Sequence, residues 1–194
     1  RCEVLNVGGG LGVRYTDADE PMDVEAYCRQ IAAAVSRALE GTNLSPTLVQ
    51  EPGRSLIAES GVTLYSVGVV KEVPAGEGRR TYVAVDGGLS DNPRPALYGS
   101  KYTVRAIGKS ASPQRVTVSG KHCETDKLFP DIELPSDLCR GDLLQVLCTG
   151  AYNASMASNY NRYPRPATAL VRQDGSHVLI QRRDDWDEMF AREV

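Results

Sequence analysis

Apolar residues recur at two different spacings along this chain, and the change falls near Ser60. Val24, Tyr27, Cys28, Ile31, Val35, Ala38 and Leu39 repeat at helical spacing. They predict an amphipathic helix over residues 23–40 that is stopped by Gly41. Ahead of it, Glu3-Val4-Leu5-Asn6-Val7 reads as a strand entering the run Gly8-Gly9-Gly10. Behind it, residues 47–50 form a short apolar strand ending at Glu51-Pro52-Gly53-Arg54. Strand, glycine turn, helix and strand make one βαβ unit, which predicts parallel pairing. A brief helical stretch over 55–59 closes at Gly61.

Beyond Gly61 the pattern turns to strands. Segments 63–73, 81–85, 102–107, 115–118, 143–148, 167–171 and 177–181 are rich in Val, Ile, Tyr and Thr. Clusters of Gly, Pro, Asp and Ser separate them. Trp186, Met189 and Phe190 stand at helical spacing and predict a short closing helix over 184–192. The fold class is therefore α/β over residues 1–60 followed by a mainly β region over 61–194. A buried strand with so little lead-in, in a chain opening on Arg1, reads as a piece of a longer protein.

Composition narrows the class further. Of the 194 residues 41% are hydrophobic and 24% charged, a balance that argues against a disordered chain. No long uncharged apolar window is present, so no transmembrane span is expected. A net charge of −3 gives no general electrostatic reason to bind nucleic acid. Five cysteines make an odd number without a C-x-x-C pair. With only two histidines besides, neither a disulfide framework nor a metal centre is expected. Reduced thiols in the cytoplasm are the better reading.

The loops hold the candidate chemistry, and each allows two readings. Gly8-Gly9-Gly10 after a strand exposes backbone N–H groups to an anion such as a phosphate, or is simply a tight turn. Glu51 and Arg54 lie at the carboxyl end of their strand, where α/β barrels place chemistry, or form a plain ion pair. Asp86-Gly87-Gly88 and the segment 91–99 read as a turn-rich loop between strands. Cys123, flanked by Lys121, His122 and Glu124, is an exposed ionisable thiol or an inert core residue. Gly150-Ala151-Tyr152-Asn153 and the segment 160–166 are again loops.

The order of these loops is more specific than any one of them. Gly-Gly-Gly, then Glu51-Pro52-Gly53-Arg54, then Asp86-Gly87-Gly88 with Ser90-Asp91-Asn92 and Arg94 to Gly99 come first. Gly120-Lys121-His122-Cys123-Glu124, Gly150-Ala151-Tyr152 and Tyr160-Asn161 with Arg165-Pro166 come after. This series resembles the C-terminal half of the diaminopimelate decarboxylase family, enzymes of the alanine-racemase-like and ornithine-decarboxylase-like fold that use pyridoxal phosphate. The resemblance implies the terminal part of a (β/α)8 cofactor-binding barrel over residues 1–60. A C-terminal β domain, a Greek-key-like barrel or sandwich, would then occupy 61–194.

It also implies roles. Gly8, Gly9 and Gly10 would bind the cofactor phosphate with help from Tyr152, and Glu51, with Gly53 and Arg54 beside it, would face the pyridine nitrogen. Arg54, Arg94 and Tyr98 would hold substrate carboxylate, a task that suits the planar guanidinium fork. Glu124 would take the far ammonium, Tyr152 would also touch substrate, and Cys123 would return a proton after decarboxylation. In that family the cysteine loop enters the other subunit's site, which implies a homodimer. The family's cofactor-linked lysine has no counterpart in context among Lys71, Lys101, Lys109, Lys121 and Lys127, so these residues alone are expected to be inactive. Two alternatives stay open: a sister decarboxylase for carboxynorspermidine, arginine or a D-amino acid, and a non-catalytic dimerising or regulatory module.

Overall fold

The computed structural model describes residues 2–194. The first elements match the apolar spacing closely. β1 (Val4–Asn6) and β2 (Thr47–Val49) pair in parallel, Val4 opposite Thr47 and Asn6 opposite Val49. Between them runs α1 (Val24–Leu39), capped by Asp23, whose carboxylate accepts from the N–H groups of Glu25 and Ala26. No residue of α1, β1 or β2 is buried, and Val4, Val24 and Val49 are exposed. Two strands and one helix offer too few partners to enclose an apolar face. α2 (Gly53–Ile57) and a 3-10 turn (Ala58–Ser60) then lead into the β region.

β3 (Thr63–Ala75) is the spine of the β region, and β4 (Gly78–Val85) returns antiparallel to it through a tight hairpin. The next segment carries α3 (Arg94–Tyr98) and β5 (Val104–Ala106). β6 (Pro113–Ser119), β7 (Lys127–Pro135) and β8 (Leu143–Val146) complete one sheet in the order β5-β8-β3-β4-β6-β7. Only β4 and β6 pair in parallel within it. Their connection is therefore long, and it is this crossover that carries α3.

β3 serves two halves of the sheet. Thr63 to Ser66 pair with β8, and from Val67 onward the strand pairs with β4, the register slipping between Val67 and Val69. The bend lets the sheet curl into a nearly closed barrel with β5 packed against β7. Alternate residues point inward, so Tyr65 and Val67, Val83 and Val85, and Leu144 and Val146 meet in one core with Tyr102, Val116, Val118, Phe129 and Leu134. A second, smaller cluster of Val13, Ala58, Cys148 and Ala151 joins the first sixty residues to this sheet. α4 (Asn153–Met156), the antiparallel pair β9 (Thr168–Val171) and β10 (His177–Gln181), and α5 (Trp186–Phe190) complete the chain.

Three expectations change. The segment 91–99, read as a loop, contains α3, because Pro93 starts a helical turn and Gly99 ends it in the left-handed conformation. The Gly150-Ala151-Tyr152-Asn153 loop likewise runs into α4. No strand is predicted over Lys127–Pro135, whose prolines break the pattern. β7 tolerates them because it lies at the edge of the sheet.

The uneven burial has a measurable consequence. In this chain, amides of β1, α1 and β2 will exchange with solvent much faster than those of β3, β4, β6 and β8. Hydrogen exchange read by mass spectrometry checks this; equal protection from Val4 through Val49 would contradict it.

Candidate active site

Two loops from the α/β region are bonded together by their backbones. Glu51 N–H donates to the Gly8 carbonyl at 2.7 Å, and Val7 N–H to that of Val49 at 3.0 Å. Gly9 lies so close to the Glu51 carbonyl that an added Cβ would sit 2.1 Å from the oxygen, so only glycine fits. Gly8 and Gly10 have φ of +73° and +102°. Gly8 N–H is taken by Asn6 Oδ1 at 2.8 Å, whereas those of Gly9 and Gly10 have no partner among the described residues. The same Asn6 amide donates to Glu51 Oε1 at 2.7 Å, which fixes the carboxylate beside the glycine loop. Glu51 therefore does not form the plain ion pair with Arg54 that the sequence allowed. Arg54 has no carboxylate partner among the described residues.

A second backbone contact carries this corner to the sheet. Gly150 N–H donates to Ala58 O and Thr149 N–H to Gly61 O, both at 2.9 Å. A Cβ on Gly150 would stand 2.0 Å from the Ile57 carbonyl oxygen, so a glycine is required for the approach. Immediately beyond it, Tyr152 has φ of +73° and projects a partly exposed ring.

That ring lies against Arg94, with 4.8 Å from the guanidinium carbon to the ring centre. Tyr98 at 5.6 Å and Tyr15 at 5.9 Å flank the same guanidinium, and its Nε donates to the Tyr102 hydroxyl at 2.9 Å. Arg94 is 9% exposed and has no acidic partner among the described residues. A buried cation without a counter-ion is costly unless something neutralises it. Asn92, two residues before it, and Asn153, directly after Tyr152, are buried with both amide atoms unpaired, and the Tyr15 hydroxyl is also unpaired. Such unpaired buried groups are rare and mark places built for a ligand or for water.

Cys123 and Glu124 belong to another group. Both are exposed. Tyr160 donates its hydroxyl to Glu124, while the Asn161 amide reaches Glu124 Oε2 at 3.4 Å and Cys123 Sγ at 3.7 Å. The Tyr160 hydroxyl holds the Glu124 carboxyl below its ordinary range. Behind them His122 is buried, accepting from Ser90 N–H at 3.2 Å and packing its ring against Tyr160 and Tyr163. Asp126 accepts from Leu89 and His122 N–H groups, and Asp91 from Gly88 N–H and the Tyr65 hydroxyl. Burial pushes both carboxyls up; Asp126 ties the 86–92 loop to the 120–126 loop, whereas Asp91 ties its own loop to β3.

The sequence candidates thus fall into two sets. One set holds the bonded loops of Gly8, Gly9, Gly10, Glu51, Gly53 and Arg54, with Arg94, Tyr98 and Tyr152 reached from them through the approach of Gly150 to Ile57 and Ala58. Among the described residues no hydrogen bond, ion pair or ring contact joins Cys123 or Glu124 to that set. Tyr15, Tyr102, Asn6, Tyr160 and Asn161 join the site through tertiary contacts only. Nothing local distinguishes a tyrosine that supports an arginine from one that fills a core. No group of three or more His, Cys, Asp or Glu among the described residues is arranged to hold a metal ion, and no helix there is long and apolar enough to cross a membrane.

A glycine loop bonded to a carboxylate, and a buried arginine without an acidic partner among the described residues, are the two groups with unmet polar capacity on this β-sheet frame. Residues 16–150 match the family model described as pyridoxal-dependent decarboxylase, C-terminal sheet domain, and the chain belongs to that family. It is 48% identical over 184 residues to the diaminopimelate decarboxylase of Bacillus subtilis, covering 93% of this chain and 41% of that protein. The structure of diaminopimelate decarboxylase from M. jannaschii in co-complex with L-lysine superposes with a TM-score of 0.89 and 30% identity, over 99% of this chain and 43% of that one. A lysine/ornithine decarboxylase from Vibrio vulnificus, complexed with cadaverine, gives 0.67 and 25% identity over 84% of this chain and 42% of that one. The chain spans about two fifths of the length of the curated relatives it matches.

The Glu124 geometry predicts a titration. Its folded-state pKa is depressed, so the contact stabilises the loop above the ordinary glutamate value and is lost as pH falls through the lowered one. Tyr160→Phe removes the main cause and will raise the Glu124 pKa toward that ordinary value. Carboxyl NMR titration checks this; an unchanged midpoint would assign the effect elsewhere.

Proposed function

We propose that this chain is the C-terminal part of a pyridoxal-phosphate-dependent decarboxylase that converts meso-2,6-diaminopimelate to L-lysine and carbon dioxide. The observation that carries the reading is the buried, unneutralised guanidinium of Arg94 between Tyr98 and Tyr152. A substrate with a second carboxylate at its far end supplies the missing charge, and a simple diamine precursor does not. Bound L-lysine in the M. jannaschii relative, and its better superposition than the lysine/ornithine enzyme, support the same choice.

The chain's own groups fit the cofactor. The free N–H groups of Gly9 and Gly10 suit a phosphate, aided by the Tyr152 hydroxyl. The Glu51 carboxylate, steered by Asn6, suits a protonated ring nitrogen. When bound, pyridoxal phosphate supplies an electron sink for the pair left as carbon dioxide departs. Arg54, Arg94 and Tyr98 hold substrate carboxylate, and Glu124, kept ionised by Tyr160, takes the far ammonium. Cys123 donates one proton to the α-carbon, which balances the loss of carbon dioxide.

Cys123 and Glu124 reach substrate from a second protomer in this reading. Their separation from the Arg94 set within one chain supports it. So does an open groove of about 580 Å³ beside Glu124, lined by Lys71, Tyr82 and Lys127 among others, on which a second copy can seat. The five free cysteines accord with a cytoplasmic setting.

Full-length protein with cofactor should release carbon dioxide from diaminopimelate in preference to carboxynorspermidine, arginine or D-amino acids, whereas these 194 residues alone should release none. The opposite preference would favour a sister enzyme, and no release from any substrate would favour a non-catalytic module. Arg94→Ala should raise KM for diaminopimelate roughly a hundredfold, the usual consequence of deleting one partner of a buried charge pair. Unchanged discrimination among those substrates would defeat the specificity argument. Cys123→Ala should slow turnover while cofactor absorbance stays intact, and undiminished product formation would remove it from the proton-donor role.

A further inference from the structure

Arginine can offer a carboxylate either of two flat edges, Nε with one terminal nitrogen or the two terminal nitrogens together. In Arg94 the first edge is already engaged, because Nε donates to the Tyr102 hydroxyl at 2.9 Å. Resting on the substrate reading above, we propose that Tyr102 is a positioning residue: it fixes Arg94 so that only the two terminal nitrogens are presented to the far carboxylate of the substrate.

The surroundings make Tyr102 a rigid anchor. It is 4% exposed and packs edge-on against Tyr15, at 5.1 Å between ring centres, and against Phe129 at 6.0 Å. The next residue locks this pair, since Thr103 donates both its N–H and its hydroxyl to the Tyr15 carbonyl, each at 2.9 Å. The rings of Tyr15, Tyr98 and Tyr152 crowd the same guanidinium. Rotation about the last side-chain bonds is thus restrained at Nε and by three aromatic neighbours, while the outer nitrogens keep their donors.

The acceptor's chemistry matters as much as its place. A carboxylate at position 102 would orient Arg94 equally well but would cancel its charge. A phenol orients it and leaves the charge for substrate. Burial pushes the Tyr102 hydroxyl up from its ordinary value, so it stays neutral across the working range. Orientation and attraction are separated: Tyr102 supplies the first and the substrate completes the second.

The test uses the full-length enzyme with cofactor, measuring KM and kcat for meso-diaminopimelate and the inhibition constant of D-lysine, the same chain without the far carboxylate. Tyr102→Phe should raise KM about tenfold, the usual effect of losing one hydrogen bond to a charged group. It should leave kcat within about twofold and the D-lysine constant unchanged. In an Arg94→Ala background Tyr102→Phe should add no further effect, which a merely structural role would not produce. Should Tyr102→Phe not fold, 3-fluorotyrosine at position 102, a weaker acceptor of nearly the same shape whose hydroxyl keeps its proton when buried, should shift KM in the same direction. Unchanged KM, an equal loss for D-lysine, or additive effects would overturn the inference. An unsubstituted enzyme inert toward diaminopimelate would overturn the substrate reading and this inference with it, whereas an active one with an unaffected Tyr102→Phe variant overturns only the inference.

Discussion

A positive charge buried without an acid beside it is the constraint around which this site is organised. Arg94 lies in the crossover between β4 and β6, its neighbours are phenol rings, and the acceptor at its Nε is a neutral phenol. Desolvating a guanidinium is costly, and aromatic faces and a phenol return only part of that cost. The remainder is an unmet demand for negative charge within this corner of the fold.

The neighbouring parts can be understood as holding that demand in place. The backbone approach of Gly150 to Ile57 and Ala58 brings the end of the Glu51–Arg54 segment against the Tyr152 loop. Asp126, accepting from Leu89 N–H, and His122, accepting from Ser90 N–H, tie the loop before α3 to the loop bearing Cys123 and Glu124. The loop before α3 and the cysteine loop are thus braced against one another, with no hydrogen bond or ion pair between Arg94 and Cys123 or Glu124 among the described residues.

Some of this was legible along the chain. The helical spacing of Val24 through Leu39 marked α1 to within a residue at each end, and the βαβ order marked the parallel pairing of β1 with β2. The motif order from Gly8 to Pro166 pointed to the decarboxylase family before any geometry was known. β7 and α3 escaped because Pro130, Pro135, Pro93 and Pro95 dominate their local signal. An edge strand and the first turn of a helix are the positions where proline is tolerated.

Sequence by itself determined the periodicities, the turn residues and the identity of the reactive side chains, since these arise from local backbone preference and from composition. Tertiary structure alone decided that Arg94 has no acidic partner among the described residues, that Tyr102 rather than an acid occupies its Nε, and that Cys123 and Glu124 make no bond to it there. The reason is physical: burial, charge compensation and ring contacts depend on which distant segments meet. A tyrosine at position 15 or 102 has the same local signature whether it fills a core or steers an arginine.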